Sequence, residues 1–363
     1  MINLIMRQKG FALVLILIIF IISIISITGG LFVHTRFGLW PWDLILNGSL
    51  SSKQLEEKAA AFKKNYPAVV RGNWEPSSFH MTKMLREDLG RIKELGVNTV
   101  SVSVEYSLNN DRTPFLRDEN QLASNIVKAK EAGFAVLVAP NFVGPGGHNF
   151  KEEGINITKE EYLKISEKVA LKWAAISEKY QVEFFAPQNE FNGMIGDNFA
   201  QSDQEIAQIT SEWHQQLLPK IKAVYSGRTM VKLATVQENI DVTGYDYVGI
   251  TIFHGNDELE EFRKRIASQY QILSEVAEKS EAKWLVSEAW FAYGGPFFQQ
   301  TKNRAGESLD ALQDDYFKIS LDEYLKITEN KPVGYIFIAW VMPGMDIKDR
   351  PAEGVIKEYF GTF

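Results

Sequence analysis

The sequence predicts a single (β/α)8 TIM barrel of the α/β class, preceded by an apolar N-terminal span. Three observations carry that prediction. From Tyr66 onward, short β-rich runs alternate eight times with stretches that are mostly helical in periodicity. The runs are nearly continuous in apolar residues, as strands buried on both faces are, which implies parallel pairing with crossover helices. Setting aside the first fifty residues leaves about 300, which suits the ~250 residues typical of such a barrel plus insertions. An open doubly wound sheet shares the alternation. However, "RGNWEP" after the first run is not G-x-G-x-x-G, so a nucleotide-binding sheet loses support.

The chain begins with residues 1–10, basic at Arg7 and Lys9, and continues with "FALVLILIIFIISIISITGGLFV" from Phe11 to Val33. That span carries no charge and is long enough to cross a bilayer as a helix, which takes ~20 apolar residues. Trp40 and Trp42 follow, where amphipathic aromatics favour the membrane interface. We read a cytoplasmic 1–10, a transmembrane signal anchor over 11–33 that binds the lipid bilayer, and a domain outside the membrane. A cleaved signal peptide is the alternative, and it too exports the domain. Residues 34–65 form a juxtamembrane linker with a lead-in helix from about Ser49 to Lys64, capped by Ser51 or Ser52.

The barrel occupies 66–363. Its first strand, "YPAVVRG" (Tyr66 to Gly72), precedes a helix over Thr82 to Gly96 in which Met84, Leu85, Leu89, Ile92 and Leu95 recur at helical spacing. "NTVSVSVEY" (Asn98 to Tyr106) is followed by a helix from Leu122 to Ala132, stopped by Gly133. "FAVLVAPNFV" (Phe134 to Val143) leads to a helix over Lys159 to Tyr180, and "VEFFAPQNE" (Val182 to Glu190) to one over Ser202 to Tyr225. The fifth strand, "TMVKLAT" (Thr229 to Thr235), has only a short connector after it. "YDYVGITIFH" (Tyr245 to His254) leads into Glu258 to Lys279, and "AKWLVSEAW" (Ala282 to Trp290) into Ser308 to Thr328. "VGYIFIAWVMP" (Val333 to Pro343) is closed by "RPAEGVIKEYF", with Pro351 suited to a first helical turn.

Composition narrows the function. A net charge of −7 with no basic stripe argues against nucleic acid. The absence of Cys excludes disulfides, thiol catalysis and thiolate metal sites. His148 and His254 have no second His at ligand spacing, so no metal or cofactor is expected.

In a barrel of this kind the active site lies at the C-terminal ends of the strands. Those ends carry Arg71, Asn73, Trp74 and Glu75 on the first strand and Glu105 and Tyr106 on the second. The third gives Asn141, with His148 in the loop beyond, and the fourth gives Gln188, Asn189 and Glu190. His254 ends the sixth, Glu288 and Trp290 the seventh, and Trp340 the eighth. Glu190 and Glu288 are the central pair. Glycosidic bond hydrolysis needs two such carboxyl groups across a cleft, one to protonate the leaving oxygen and one to meet the developing oxocarbenium carbon. Trp74, Trp290 and Trp340 offer flat faces to sugar C–H surfaces, and Asn189 can hydrogen-bond a hydroxyl.

An Asn-Glu ending the fourth strand, a Ser-Glu ending the seventh and a Trp ending the eighth resemble glycoside hydrolase clan A, the retaining (β/α)8 enzymes. The likeness covers about Tyr66 to Phe360, and the closing "DRPAEGVIKEYF" is most similar to the family 113 β-mannanases. The resemblance implies a poly- or oligosaccharide substrate, with Glu190 as acid/base and Glu288 as nucleophile. It further implies Asn189 as partner of the 2-hydroxyl and Trp340 as the sugar platform. Two departures stand out. Clan members often carry a sixth-strand Tyr that hydrogen-bonds the nucleophile. Here the region reads "ITIFHG", so either His254 replaces it or Phe253 takes the position without a hydroxyl. For the Arg often found near the nucleophile, Arg71 is a candidate, and Glu105 is either a site residue or its partner. These departures keep open a non-catalytic glycan-binding surface protein. A third reading, a phosphate-binding barrel enzyme, rests only on the two glycines of "AYGGPFF".

Overall fold

The computed structural model describes residues 51–108, 112–116, 119–143, 150–254, 257–293 and 308–362. The apolar span Phe11 to Val33, His148 and the glycines of "AYGGPFF" lie outside these residues. Among the described residues, no helix is long and apolar enough to cross a membrane.

The lead-in helix α1 (Ser52–Ala59) starts at Ser51, whose hydroxyl accepts from the Gln54 N–H while the Gln54 side chain returns to the Ser51 N–H. That reciprocal cap satisfies two backbone donors that a helix start leaves free. Leu55 and Ala59 bury the inner face of α1 against the barrel's outer layer.

Eight parallel strands close the ring: β1 (Val70–Glu75), β2 (Thr99–Leu108), β4 (Ala135–Val143), β5 (Phe184–Phe185), β6 (Arg228–Leu233), β7 (Tyr247–Phe253), β8 (Lys283–Trp290) and β9 (Gly334–Ile338). β1 pairs with both β2 and β9, which leaves no free edge in the barrel. β3 (Pro114–Leu116) returns antiparallel onto β2 and was not anticipated. The third to eighth predicted strands are therefore β4 to β9. The helices α2 (Ser78–Glu87), α3 (Leu89–Glu94), α4 (Glu119–Glu131), α5 (Lys159–Lys179), α6 (Phe191–Asn198), α7 (Asp203–Lys222), α8 (Leu259–Lys279), α9 (Leu309–Lys326) and α10 (Pro351–Phe360) complete the order. The first predicted crossover helix is thus two pieces, broken at Asp88, whose backbone (φ −121°, ψ 10°) leaves the helical region.

Burial separates two apolar layers. Val70, Leu137, Phe184, Met230, Tyr247, Leu285 and Ile336 fill the inside of the ring, while their strand neighbours pack outward against the helices. This is the period-2 alternation of a strand applied to a closed sheet.

The predicted fourth strand, Val182 to Glu190, is regular for only two residues, Phe184–Phe185. Pro187 has no N–H to give a ladder, and the chain keeps to β4 through single bonds instead. Ala186 N–H donates to the Val138 carbonyl and Asn189 N–H to the Pro140 carbonyl. Below it, the N-terminal end of the barrel is tied by Lys130 and Glu183, both almost completely buried. The Lys130 ammonium donates to Glu183 and to the carbonyls of Lys63 and Gln181, and Glu183 also accepts from the N–H groups of Asn65 and Val136.

Candidate active site

Glu190 and Glu288 reach the mouth by two local departures from regular structure. Glu190 is the N-cap of α6 and sits in the left-handed region (φ 50°, ψ 41°). For a non-glycine residue that conformation is strained by roughly 1–2 kcal/mol, and it is the last step between the run that follows β5 and the start of α6. Asn192 fixes the turn: its amide donates to the Thr235 carbonyl while its oxygen accepts from the Ala234 N–H. Glu288 depends on a bulge. Leu285 faces inward and Val286 outward, so strict alternation would send Glu288 outward with Val286. The register slips between Ile250 and Thr251, so that Thr251 pairs with Glu288. From there Ala289 faces outward and Trp290 inward. The extra residue re-aims the acid into the ring.

Two strands, β6 and β7, stand between those acids in the ring, and each supplies an inward group. Lys232 of β6 lies between outward Val231 and Leu233 and is completely buried. Its Nζ is 3.4 Å from Glu288 Oε2 and 4.2 Å from the centre of the Trp74 ring. Thr251 of β7 faces Glu190.

The electrostatics follow from this burial. Desolvation raises the Glu190 carboxyl, with Asp197 adding to it and Thr251 and Lys232 opposing. Desolvation, then the Glu190 charge, push Glu288 up to about 8 against Lys232 and Asn189. Burial lowers the Lys232 ammonium, and the two glutamates pull it back up. One ammonium compensates one carboxylate, so the pair retains a proton near neutrality. A proton donor beside a carboxylate is the equipment of acid/base and nucleophilic chemistry.

On the strands of the ring and at the end of the fourth run, the hydroxyls of Ser103 and Ser287, the Asn189 side-chain carbonyl and the Trp74 indole N–H are buried without a protein partner. Buried polar atoms rarely stay so, and these suit a ligand rich in hydroxyl groups. Glu105 and Asn141 are neighbours in register on the inward face of β2 and β4, near the rim. Trp290 stacks on Phe253 across β7 and β8, ring centres 5.2 Å apart and planes at 14°. Phe253 remains 37% exposed, which gives the rim a flat apolar face.

Three predicted site residues lie elsewhere. Trp340 is wholly buried in the outer layer, with the Arg91 guanidinium 5.1 Å from its ring, because β9 ends at Ile338 and Ala339 takes the inner face. It cannot serve as a sugar platform. His254 faces outward among the rings of Phe262, Phe291 and Tyr316, so Phe253 holds the inward position and no phenol stands there. Arg71 reaches the Phe360 carbonyl at the C-terminus of α10, away from the strand tips and from Glu105. Gln188 and Tyr106 also turn outward, to Tyr162 and Trp173.

Glu75 is buried outside the ring and accepts from Asn73 and from the backbone N–H of Trp340. Burial, against those hydrogen bonds, raises its carboxyl to about 8. A carboxyl raised on folding stabilises fully below its unfolded pKa, and that contribution is lost as pH rises through the folded one. Glu75→Gln should therefore flatten the urea-unfolding stability profile between about pH 5 and about pH 8 relative to the wild type. An unchanged profile would contradict this.

Lys232 and Thr251 were missed as site residues. The available signal was Lys232 itself, a charge inside the apolar run "TMVKLA", which a buried strand carries only where something pairs with it. Among the described residues, no cluster of three or more acidic or His side chains is placed to hold a metal ion.

No protein-family model matches the chain, and no curated protein matches it. Solved structures do. A family 113 β-1,4-mannanase superposes with a TM-score of 0.61 at 16% identity, over 82% of this chain and 100% of its own. The family 113 β-mannanase of Alicyclobacillus acidocaldarius in complex with ManMIm gives 0.62 at 15%, over 82% and 98%. The endo-1,4-β-D-mannanase of Thermotoga petrophila gives 0.51 at 13%, over 82% and 100%. At such identities the likeness establishes the fold, a (β/α)8 barrel of the same architecture.

Proposed function

We propose that this chain is a retaining β-glycoside hydrolase acting on an extracellular poly- or oligosaccharide, held at the membrane by residues 11–33. The observation that carries the reading is the pair of half-buried Glu190 and buried Glu288 at the barrel mouth, each carboxyl acting on the other's charge. Protonated Glu190 donates to the glycosidic oxygen while ionised Glu288 attacks the anomeric carbon. The C–O bond to the leaving group breaks and a glycosyl-enzyme ester forms. Glu190, now a carboxylate, deprotonates the water that releases the sugar with its anomeric configuration retained. In this reading Asn189 holds a sugar hydroxyl beside Glu288, and the Phe253–Trp290 face packs on a sugar C–H surface. The mannanase likenesses make β-1,4-mannan the first substrate to test.

The test is a panel of β-linked glycans and aryl β-glycosides given to the full-length chain in detergent, with products followed by proton NMR. Appearance of the β-anomer first supports retention, and the α-anomer first would replace it by inversion. Trp290→Ala should raise KM by ~10-fold or more with a smaller change in kcat, as loss of a stacked face does. An unchanged KM would remove Trp290 from the binding face.

Phe253 at the place of the clan's Tyr favours a second reading, a non-catalytic glycan-binding protein. In that case Glu190→Gln and Glu288→Gln leave sugar affinity intact, and the wild type turns over nothing on the panel.

A further inference from the structure

Lys232 has no place in the two-carboxylate mechanism, yet it occupies the centre of the site. Its side chain is completely buried, and among the described residues the acids facing it are Glu288, at 3.4 Å, and Glu190. A charge of that kind is retained in an apolar layer only when its partner is also charged. Its contact is asymmetric, because the Nζ donates to Glu288 and makes no hydrogen bond to Glu190. Behind Nζ, the Trp74 face at 4.2 Å fixes the ammonium against the negative side of the indole. β6 carries it inward between Val231 and Leu233, and Asn192 pins the residues just after it to α6. The ammonium is therefore held in place from two elements.

We infer that Lys232 is a positioning residue that stabilises the ionised form of Glu288, so that the pair holds one proton rather than two and keeps a carboxylate for attack. This rests on the hydrolase reading. Among the described residues, the charged and titratable groups facing Glu288 are Lys232 on β6, Glu190 at the β5–α6 turn, and Tyr316 on α9, a phenol that burial keeps neutral. Asp197 of α6 acts on Glu190 alone among the two acids. Among the described residues, Lys232 is thus the single cation of the set. Without it, one carboxylate would be stranded in a buried site, and the pair would take up a second proton and lose its nucleophile.

The measurement is the pH profile of kcat/KM for wild type and Lys232→Met. The acid limb should move up by ~1–3 pH units, the range by which an adjacent cation displaces a carboxyl, and the lost rate should return at alkaline pH. A purely structural lysine would lower the rate equally at every pH. The chain has no Cys, so Lys232→Cys carries a single thiol. Aminoethylation of that thiol under denaturing conditions, followed by refolding, should restore the wild-type limb. Independently of activity, carbon-13 NMR of glutamate carboxyls, assigned through Glu288→Gln, should show Glu288 titrating ~1–3 units higher in Lys232→Met. An unmoved Glu288 titration would overturn the inference even if the hydrolase reading stands. A shifted titration in a protein that cleaves nothing on the glycan panel would uphold the ion-pair role and sink the hydrolase reading instead.

Discussion

Glu288→Gly is expected to lower turnover of an aryl β-glycoside by on the order of 10⁴-fold or more, since loss of a nucleophile removes the group that forms the intermediate. Azide should then enter the space of the carboxylate and rescue the reaction, giving the α-glycosyl azide in a single displacement. Glu190→Ala should behave differently. With an activated aryl leaving group, which departs without a proton, the first step survives and the second slows. Azide should then accelerate release as the β-glycosyl azide. With an unactivated glycoside the loss should be ~10²–10⁴-fold, the usual worth of general acid catalysis. The two product configurations assign the two roles separately. Identical azide products from both variants would dissolve the assignment, and full activity in either would end it.

The second large effect is on stability. Lys130 and Glu183 close the end of the barrel opposite the mouth, almost without exposure, and their remaining donors and acceptors are taken by the backbone of residues 63–65, Val136 and Gln181. Lys130→Met should destabilise the domain by ~3–5 kcal/mol in urea unfolding, because Glu183 would be left charged and unpaired in an apolar layer. Adding Glu183→Gln to that variant should recover most of the loss, since the amide oxygen still accepts while no charge remains. A cost below ~1 kcal/mol for Lys130→Met, the range of exposed ion pairs, would show that the pair does not close the barrel. Neither change should alter the acid limb of the kcat/KM profile, which distinguishes this lysine from Lys232.

Much of the architecture was legible. The eight β-rich runs, their apolar continuity and the crossover helices follow from burial on both faces, and each falls on a strand of the ring. The position of Glu190 and Glu288 at strand tips was legible for the same reason, because polar residues ending an apolar run must leave the buried layer. The errors share one origin. Trp340, His254 and Arg71 were assigned to the mouth from their place along the chain, and each faces outward. Distance along a strand predicts height in the barrel, but the side a residue faces is set by parity. Parity holds only while the ladder is regular.

From the sequence alone came the fold, the level of each polar tip in it, and two acids at the same end. Tertiary structure decided which of those tips enter the ring. The β8 bulge turns Glu288 inward, the left-handed turn at Glu190 delivers the other carboxyl, and β6 brings a buried ammonium to 3.4 Å from Glu288. The physical reason is that a strand's own residues specify alternation, whereas its phase is fixed by hydrogen bonds to neighbouring strands distant in sequence. One slipped residue in that pairing exchanges the inner and outer faces.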